Sequence, residues 1–404
     1  MFPRQMTAGG MPDDCRKFIS IAAGLFSGEV VLLVKGIPVD NEGLLGDIGV
    51  KIDIDDKGQL GAFFKGVSAS DFAVFFTFSS LVNLTLARRF QNQGCRYSVM
   101  PAWQINEFLD WDRPFSKTAI PTIESAERDP RGFQARASDG VVEGKVTIRS
   151  RFRAVKRKLY RATLGRNLLQ KASAIHVFSD FERANVSKLI SLKAPRFRYV
   201  EFGTDIATRP IGEDIFPQDG VRNIVFWGRA DYFYKGLDLI IDAIALAHRK
   251  TIRTPFTLWI CGPDYNGGYQ KILDHVELRG VTKYVRILTP NDYTSGTVGL
   301  LANADFSILA SRWDGFSRAL RESIALGVPI ITNDQTHFDR AIKRFGSGVI
   351  FADTEDLSRL LIDLDIGATA LATKKARASK DVVEEYYSWR QCGERFIKTL
   401  SELD

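Results

Sequence analysis

The residue pattern predicts an α/β protein made of two doubly wound, parallel-sheet domains. Three observations carry this expectation. Short runs of β-branched and aromatic residues alternate with stretches of helical period, the pattern of parallel strands joined by crossover helices. The alternation halts at Gly203-Thr204-Asp205 and at a Pro-, Gly- and acid-containing stretch from Arg209-Pro210 to Gly220, then begins again. Finally, 404 residues, 45% hydrophobic and 25% charged, can bury two cores rather than one.

In the first half the pattern predicts a helix over Asp13–Leu25, strands over Val30–Val34 and Phe72–Thr77, a helix over Leu81–Gln93, and strands over Tyr97–Met100, Ala174–Phe178 and Phe197–Phe202. In the second half the expected strands are Ile224–Trp227, Phe256–Cys261, Val285–Leu288, Phe306–Ala310 and Val328–Thr332, with a helix over Leu237–Ala247. A last helix, Asp381 to about Leu400, carries Tyr387, Trp389 and Phe396. Two such domains facing one another make a cleft at the C-terminal ends of their strands, where open α/β sheets bind ligands.

Composition narrows the function. The longest apolar run, Phe18 to Val34, is broken by Ser27, Gly28 and Glu29, so no membrane span is expected. Met1-Phe2-Pro3-Arg4 lacks the apolar region of a signal peptide, and the four cysteines (Cys15, Cys95, Cys261, Cys392) are scattered, which predicts reduced thiols in a cytoplasmic protein. The four histidines (His176, His248, His275, His337) have no metal-ligand spacing, and His176 sits in an apolar run as a structural residue. A formal net charge of +7 favours anionic partners. The acid-free stretch Lys145–Lys171 holds Arg149, Arg151, Arg153, Lys156, Arg157, Lys158, Arg161 and Arg166, with leucines at helical spacing. It reads equally as a basic amphipathic helix on an anionic membrane surface, peripheral on the cytoplasmic face, or as a solvated helix face. Nucleic acid is not an expected partner, because no aromatic platform or binding motif accompanies the charge. A dinucleotide oxidoreductase is disfavoured because no G-x-G-x-x-G follows the early strands.

The most informative block is Trp313-Asp314-Gly315-Phe316-Ser317-Arg318-Ala319-Leu320-Arg321-Glu322, continuing to Gly327-Val328-Pro329-Ile330-Ile331. It sets two carboxylates, Asp314 and Glu322, at the two ends of a loop-to-helix junction. The junction opens with a glycine and closes with Gly327 and Pro329. Free N–H groups at such a helix start suit an anion or an array of hydroxyls. Taken alone, the same residues also read as an ordinary helix start, with Asp as N-cap and Glu on a solvated face. Upstream, Trp227-Gly228-Arg229 follows a strand and Lys235-Gly236 opens the next helix. Two cations placed so could stabilise a leaving diphosphate without a metal.

With that context the block resembles the E-x7-E signature of retaining GT-B glycosyltransferases, family 4 in particular, with Asp314 in the place of the first acid and Glu322 as the second. The resemblance is close over the second half and loose over the first. It implies the GT-B fold, two Rossmann-like domains facing a central cleft. Residues 1–205 would be an acceptor domain, 206–380 a nucleotide-sugar donor domain, and 381–404 a helix packing back on the first domain. It implies catalytic roles for Arg229, Lys235 and Asp314, with Gly228, Arg229 and Lys235 at the diphosphate. Asp314 and the amides of Gly315, Phe316, Ser317 and Arg318 would hold the sugar, and Glu322 the ribose. Gly262 would lie behind the nucleotide and Ile287 to Asp292 beside the base. Gly9-Gly10-Met11 looks like the first-domain glycine loop, with Gly10 allowing close approach, although the strand that normally precedes it has only Met1 to Ala8 to draw on.

Where many relatives carry a histidine near the reacting centre, this chain has Met100-Pro101-Ala102-Trp103-Gln104. Trp103 could stack on an acceptor sugar and Gln104 could bond a hydroxyl, or Trp103 could be core or rim. The implied activity is metal-independent and needs no cofactor. It transfers a sugar, with retention, from a nucleotide-sugar donor to a saccharide or lipid-linked acceptor in cell-surface polysaccharide or lipopolysaccharide synthesis. The alternatives are another GT-B enzyme, a nucleotide-sugar epimerase or phosphorylase, or an inactive GT-B binding module.

Overall fold

The computed structural model describes residues 10–27, 30–34, 50–53, 56–76, 81–100, 166–190, 196–204, 216–217, 220–292, 296–312, 314, 316–333 and 338–403. In chain order the first elements are α1 (Gly10–Leu25), β1 (Val31–Val34), β2 (Val50–Asp53), α2 (Lys57–Gly66), β3 (Phe72–Phe76), α3 (Leu81–Asn92), β4 (Arg96–Met100), α4 (Arg166–Lys171), β5 (Ala174–Val177), α5 (Asp180–Ile190) and β6 (Phe197–Tyr199). Then follow β7 (Arg222–Trp227), α6 (Leu237–Arg249), β8 (Phe256–Cys261), α7 (Gly268–Leu278), β9 (Val285–Leu288), α8 (Gly296–Ala302), β10 (Phe306–Leu309), α9 (Arg318–Ala325), β11 (Ile330–Thr332), α10 (Asp339–Phe345), β12 (Gly348–Ile350), α11 (Thr354–Ile362), α12 (Gly367–Tyr386) and α13 (Trp389–Ser401).

The chain divides into two compact units, with breaks at Gly203/Thr204 and Tyr386/Tyr387. The first unit holds the elements up to β6 together with α13. Its four-stranded sheet has the order β3-β4-β5-β6, all parallel, and β1 pairs with β2 in a separate parallel pair. Strand β5 is buried on both faces, as a central parallel strand must be. A core of Phe64, Phe75, Phe90, Tyr97, Val99, Ile175 and Val186 gathers between this sheet and its helices. On the other side, α1 and α13 meet through Phe18, whose ring lies 5.0 Å from Phe396 and 5.0 Å from Phe202.

The second unit is a six-stranded parallel sheet of order β9-β8-β7-β10-β11-β12. Numbered from its own first strand this is 3-2-1-4-5-6, the doubly wound Rossmann order, with its switch point between β7 and β10. Strand β7 reads Arg-Asn-Ile-Val-Phe-Trp, and its middle four residues are buried, the continuous apolar run that a two-sided strand needs. Helix α6 is almost wholly buried and lies against α11. Among the described residues no helix is long and apolar enough to cross a membrane.

Two expectations are corrected. The last helix is two helices: α12 stops at Tyr386 and α13 starts at Trp389, so Tyr387 lies in the break. Ser388 makes the break. Its side chain accepts a hydrogen bond from the Gln391 amide, so it caps α13 rather than extending the helix before it. Gly10 is not a loop residue but the first residue of α1. The apolar period predicted a start at Asp13, so the helix begins three residues earlier than the period shows.

Candidate functional site

The site lies in the second unit, at the switch point, where the loops after β7 and β10 leave the C-terminal ends of adjacent strands. This is where open α/β sheets place ligands. The loop after β7 carries Arg229 and Lys235, and the loop after β10 carries Asp314. They are far apart in sequence, yet the Lys235 Nζ is 2.6 Å from Asp314 Oδ2. The Ser311 hydroxyl also donates to that oxygen, at 3.2 Å. Both members of the ion pair are largely enclosed, with side chains 20% and 12% exposed, so water screens them only in part.

Backbone contacts and one buried arginine set this geometry. The Arg312 amide donates to the Tyr234 carbonyl at 3.0 Å. Its guanidinium is 2% exposed, grips Asp238 at 2.7 Å through two parallel bonds, and donates to the Phe233 carbonyl at 2.6 Å. Gly236, at φ +66°, lies so close to the Ala310 carbonyl oxygen that a Cβ there would overlap it. The loop bearing Lys235 is thereby stitched to the segment bearing Asp314. Its far side is tied by Tyr232, whose hydroxyl bonds His275 Nδ1 at 2.9 Å. The His275 Nε2 in turn donates to Asp242 at 3.1 Å, and Arg279 pairs with the same carboxylate at 2.8 Å.

Burial raises the Asp231 carboxyl above the ordinary carboxylate range. The Tyr234 amide and the charges of Arg229, Lys235 and Lys271 pull it the other way. Three cations therefore converge on one short loop, Lys271 arriving from α7. The loops after β7 and β8 also run side by side. Gly228 donates to the Cys261 carbonyl at 3.0 Å, Ala230 donates to the Pro263 carbonyl at 2.9 Å, and Ala230 pairs with Asp264 in an isolated parallel bridge. Gly262, at φ +129°, lets these loops touch, since a Cβ there would overlap the Gly228 carbonyl oxygen. Burial raises the neighbouring Cys261 thiol to about 12, so it is inert.

Helix α9 starts at Arg318 with Ser317 as N-cap, and the Ser317 side chain makes no capping bond to its first N–H groups. Phe316 enters this start with φ +70°, a costly conformation for a residue with a side chain. Its buried ring is held stacked on Phe338, 4.9 Å away and 12° from parallel. Glu322 is 2% exposed, in a helix buried from Ala319 to Ala325, rather than on a solvated face. Next to it Arg321 is fully buried and lies over the Phe316 ring at 5.5 Å. Beyond β9, Thr289 donates its amide to Asp292 at 2.6 Å in a closed turn.

The structure thus brings Lys235 and Asp314 into contact, places Gly228, Arg229 and Gly262 on the adjoining loops, and sets Phe316, Ser317, Arg318 and Glu322 along the entry of α9. Trp103, Gln104, Gly315 and all of 145–171 before Arg166 lie outside the described residues. Gly10 belongs to the first unit. Sequence reasoning overlooked Arg312, Asp238, Tyr265 and Lys271. An arginine two residues after the apolar run Phe306–Ala310 was the available signal for Arg312, since such a side chain needs a partner when the fold closes over it. Among the described residues no group of three His, Cys, Asp or Glu is placed to hold a metal.

Comparison with known proteins agrees with this architecture. Residues 221–364 match the family described as Glycosyl transferases group 1. A D-inositol 3-phosphate glycosyltransferase from Jonesia denitrificans is 26% identical over 201 residues, 46% of this chain and 46% of the relative. The chain thus spans about half the length of the curated relatives it matches. A sucrose-phosphate synthase from Thermosynechococcus elongatus superposes with a TM-score of 0.59 at 14% identity, over 98% of this chain and 94% of that one. Anabaena HepE in complex with UDP and glucose superposes with a TM-score of 0.56 at 13% identity, over 97% and 96%. Over residues 221–364 the chain is thus similar to the glycosyl transferases group 1 family, and its fold is the α/β GT-B fold.

Proposed function

We propose that the chain is a retaining, metal-independent glycosyltransferase that moves a sugar from a nucleotide-sugar donor to a saccharide or lipid-linked saccharide. The observation that carries the reading is the meeting of Lys235 with Asp314 at the switch point, beside an Arg229 whose donors have no acceptor among the described residues. The family match over 221–364 and the UDP and glucose held by Anabaena HepE support a nucleotide-sugar donor. In this reading Arg229 and Lys235 neutralise the diphosphate, and Asp314 and the start of α9, from Gly315 to Arg318, orient the sugar. Glu322 accepts from the ribose hydroxyls.

Lys235 has a second task. Paired with Asp314 before the donor arrives, it is held in place, and the ammonium is then shared between Asp314 and the phosphate. As the glycosidic bond breaks, negative charge grows on the distal phosphate. A cation aimed there gains more in the transition state than in the ground state. We extend the proposal to an acceptor in cell-surface polysaccharide or lipopolysaccharide synthesis, reached at an anionic membrane through the basic segment 145–171. In that case liposome binding needs anionic lipid and fades with salt.

The test is steady-state turnover, or donor hydrolysis where the acceptor is unidentified. Arg229→Ala and Lys235→Ala should each lower kcat by on the order of 10²–10³, by analogy with removal of one oxyanion donor. A change in KM alone makes these residues anchors only. No turnover of any nucleotide sugar by the intact protein would leave the binding-module alternative standing.

A further inference from the structure

Arg229 and Lys235 are held in different ways. Lys235 has a carboxylate at 2.6 Å. Among the described residues the Arg229 guanidinium has no carboxylate within ion-pair distance and no hydrogen-bond acceptor, although the Asp231 carboxyl feels its charge. What it has is a ring: its Cζ lies 4.3 Å from the centroid of Tyr265. Among the described residues Tyr265 is one of the few large aromatic side chains left exposed, at 38%. A ring face attracts the cation and limits its tilt without using a single N–H. A carboxylate in the same place would occupy the donors that a phosphate needs.

The Tyr265 loop is built to present this ring. The parallel bridge between Ala230 and Asp264 holds the two loops together, and Arg229, one residue before it, reaches diagonally to the ring of Tyr265, one residue after it. Asp264 accepts from the Tyr269 amide at 2.9 Å, and the Gly268 amide donates to the Tyr265 carbonyl at 3.0 Å, so the loop is closed at both ends of the tyrosine. Asn266 and Gly267 take φ values of +53° and +67°, which turn the chain sharply into α7.

We propose that Tyr265 is the positioning residue for Arg229, holding the guanidinium by its face so that its N–H edge stays open to the diphosphate. The inference rests on the function proposed above. It adds that one aromatic ring, and not a counter-ion, sets the orientation of the arginine.

The experiment is calorimetric binding of UDP, ADP and GDP to the full chain and its variants, using whichever the intact protein binds. Tyr265→Leu keeps apolar bulk and removes the π face, and it should weaken binding about two- to fivefold, the strength of an exposed cation–π contact. Tyr265→Phe and Tyr265→Trp keep a ring and should stay within about twofold of the intact protein. In an Arg229→Ala background, Tyr265→Leu should have no further effect, because the contact it removes is already gone. An equal loss in both backgrounds would show that Tyr265 acts on the loop and not on Arg229, and would overturn the inference. So would normal binding by Tyr265→Leu, or a Tyr265→Phe as weak as Tyr265→Leu. A weakened Arg229→Ala beside a normal Tyr265→Leu refutes the inference and leaves the proposed function intact. No binding of any nucleoside diphosphate by the intact protein, or an unaffected Arg229→Ala, overturns both.

Discussion

Two buried titratable groups in the first unit should give stability an opposed pH dependence. His176 in β5 is fully buried, neither ring nitrogen has a hydrogen-bond partner among the described residues, and its ring lies 5.0 Å from Phe396. Burial, helped by the charge of Arg198, lowers it from 6.5 to about 3. Glu182, at the start of α5, is 4% exposed. Burial raises it from 4.5 to about 8, against the lowering effect of the Phe178 amide that donates to it at 2.7 Å.

The signs differ. Between pH 3 and 6.5 the unfolded chain holds a proton on His176 that the folded chain refuses, so stability falls as pH drops through this window. Between pH 4.5 and 8 the folded chain keeps a proton on Glu182 that the unfolded chain releases, so stability falls as pH rises. From these two groups stability rises to pH 4.5, is level to 6.5, and declines to 8.

Each slope is about 1.4 kcal/mol per pH unit. Relative to His176→Phe, the intact protein should lose about 2 kcal/mol between pH 7.5 and 5. Relative to Glu182→Gln it should gain about 3 kcal/mol over the same change. The assay is urea unfolding at each pH, with hydrogen exchange of peptides from 174–190 as the local readout. Flat difference profiles, or slopes of the opposite sign, would refute the account of both groups.

Three further outcomes follow from the site. Glu322→Ala should weaken a nucleoside diphosphate and its sugar conjugate alike, by about 1.5–3 kcal/mol. Asp314→Asn should weaken the conjugate more than the bare nucleoside diphosphate, which it touches only through Lys235, and titration of both ligands separates the roles; equal losses for the two ligands in both variants would contradict them. Arg312→Met leaves Asp238 without its guanidinium and should cost about 3–5 kcal/mol in urea unfolding, while a further Asp238→Leu should restore part of it; strict additivity would refute the clamp. Turnover should survive EDTA, and loss of activity restored by Mg²⁺ or Mn²⁺ would overturn cation-only stabilisation of the leaving group.

Apolar periodicity was enough to place Phe256–Cys261 and Val285–Leu288 to the residue, because these runs are rich in β-branched, aromatic and aliphatic residues and bounded by turns. It missed β2, Val-Lys-Ile-Asp, and β12, Gly-Val-Ile, whose charged residues and glycine leave only two apolar residues each to show a pattern. It also merged α12 and α13, because one capping serine interrupts an otherwise helical pattern. The carboxylate spacing of Asp314 and Glu322 is a local property and was readable without the fold.

What local pattern could not contain is which loops meet. The strand order puts β10 beside β7, and only that adjacency brings Lys235 to Asp314, 79 residues away. The same adjacency buries Arg312 against Asp238, and the bridge between neighbouring loops lays Arg229 on Tyr265. The sequence by itself determined the kinds of element and the chemical groups at their ends. Tertiary structure decided which of those groups share a low-dielectric site, because pairing energies act over a few ångströms and depend on how the sheet is wound, not on distance along the chain.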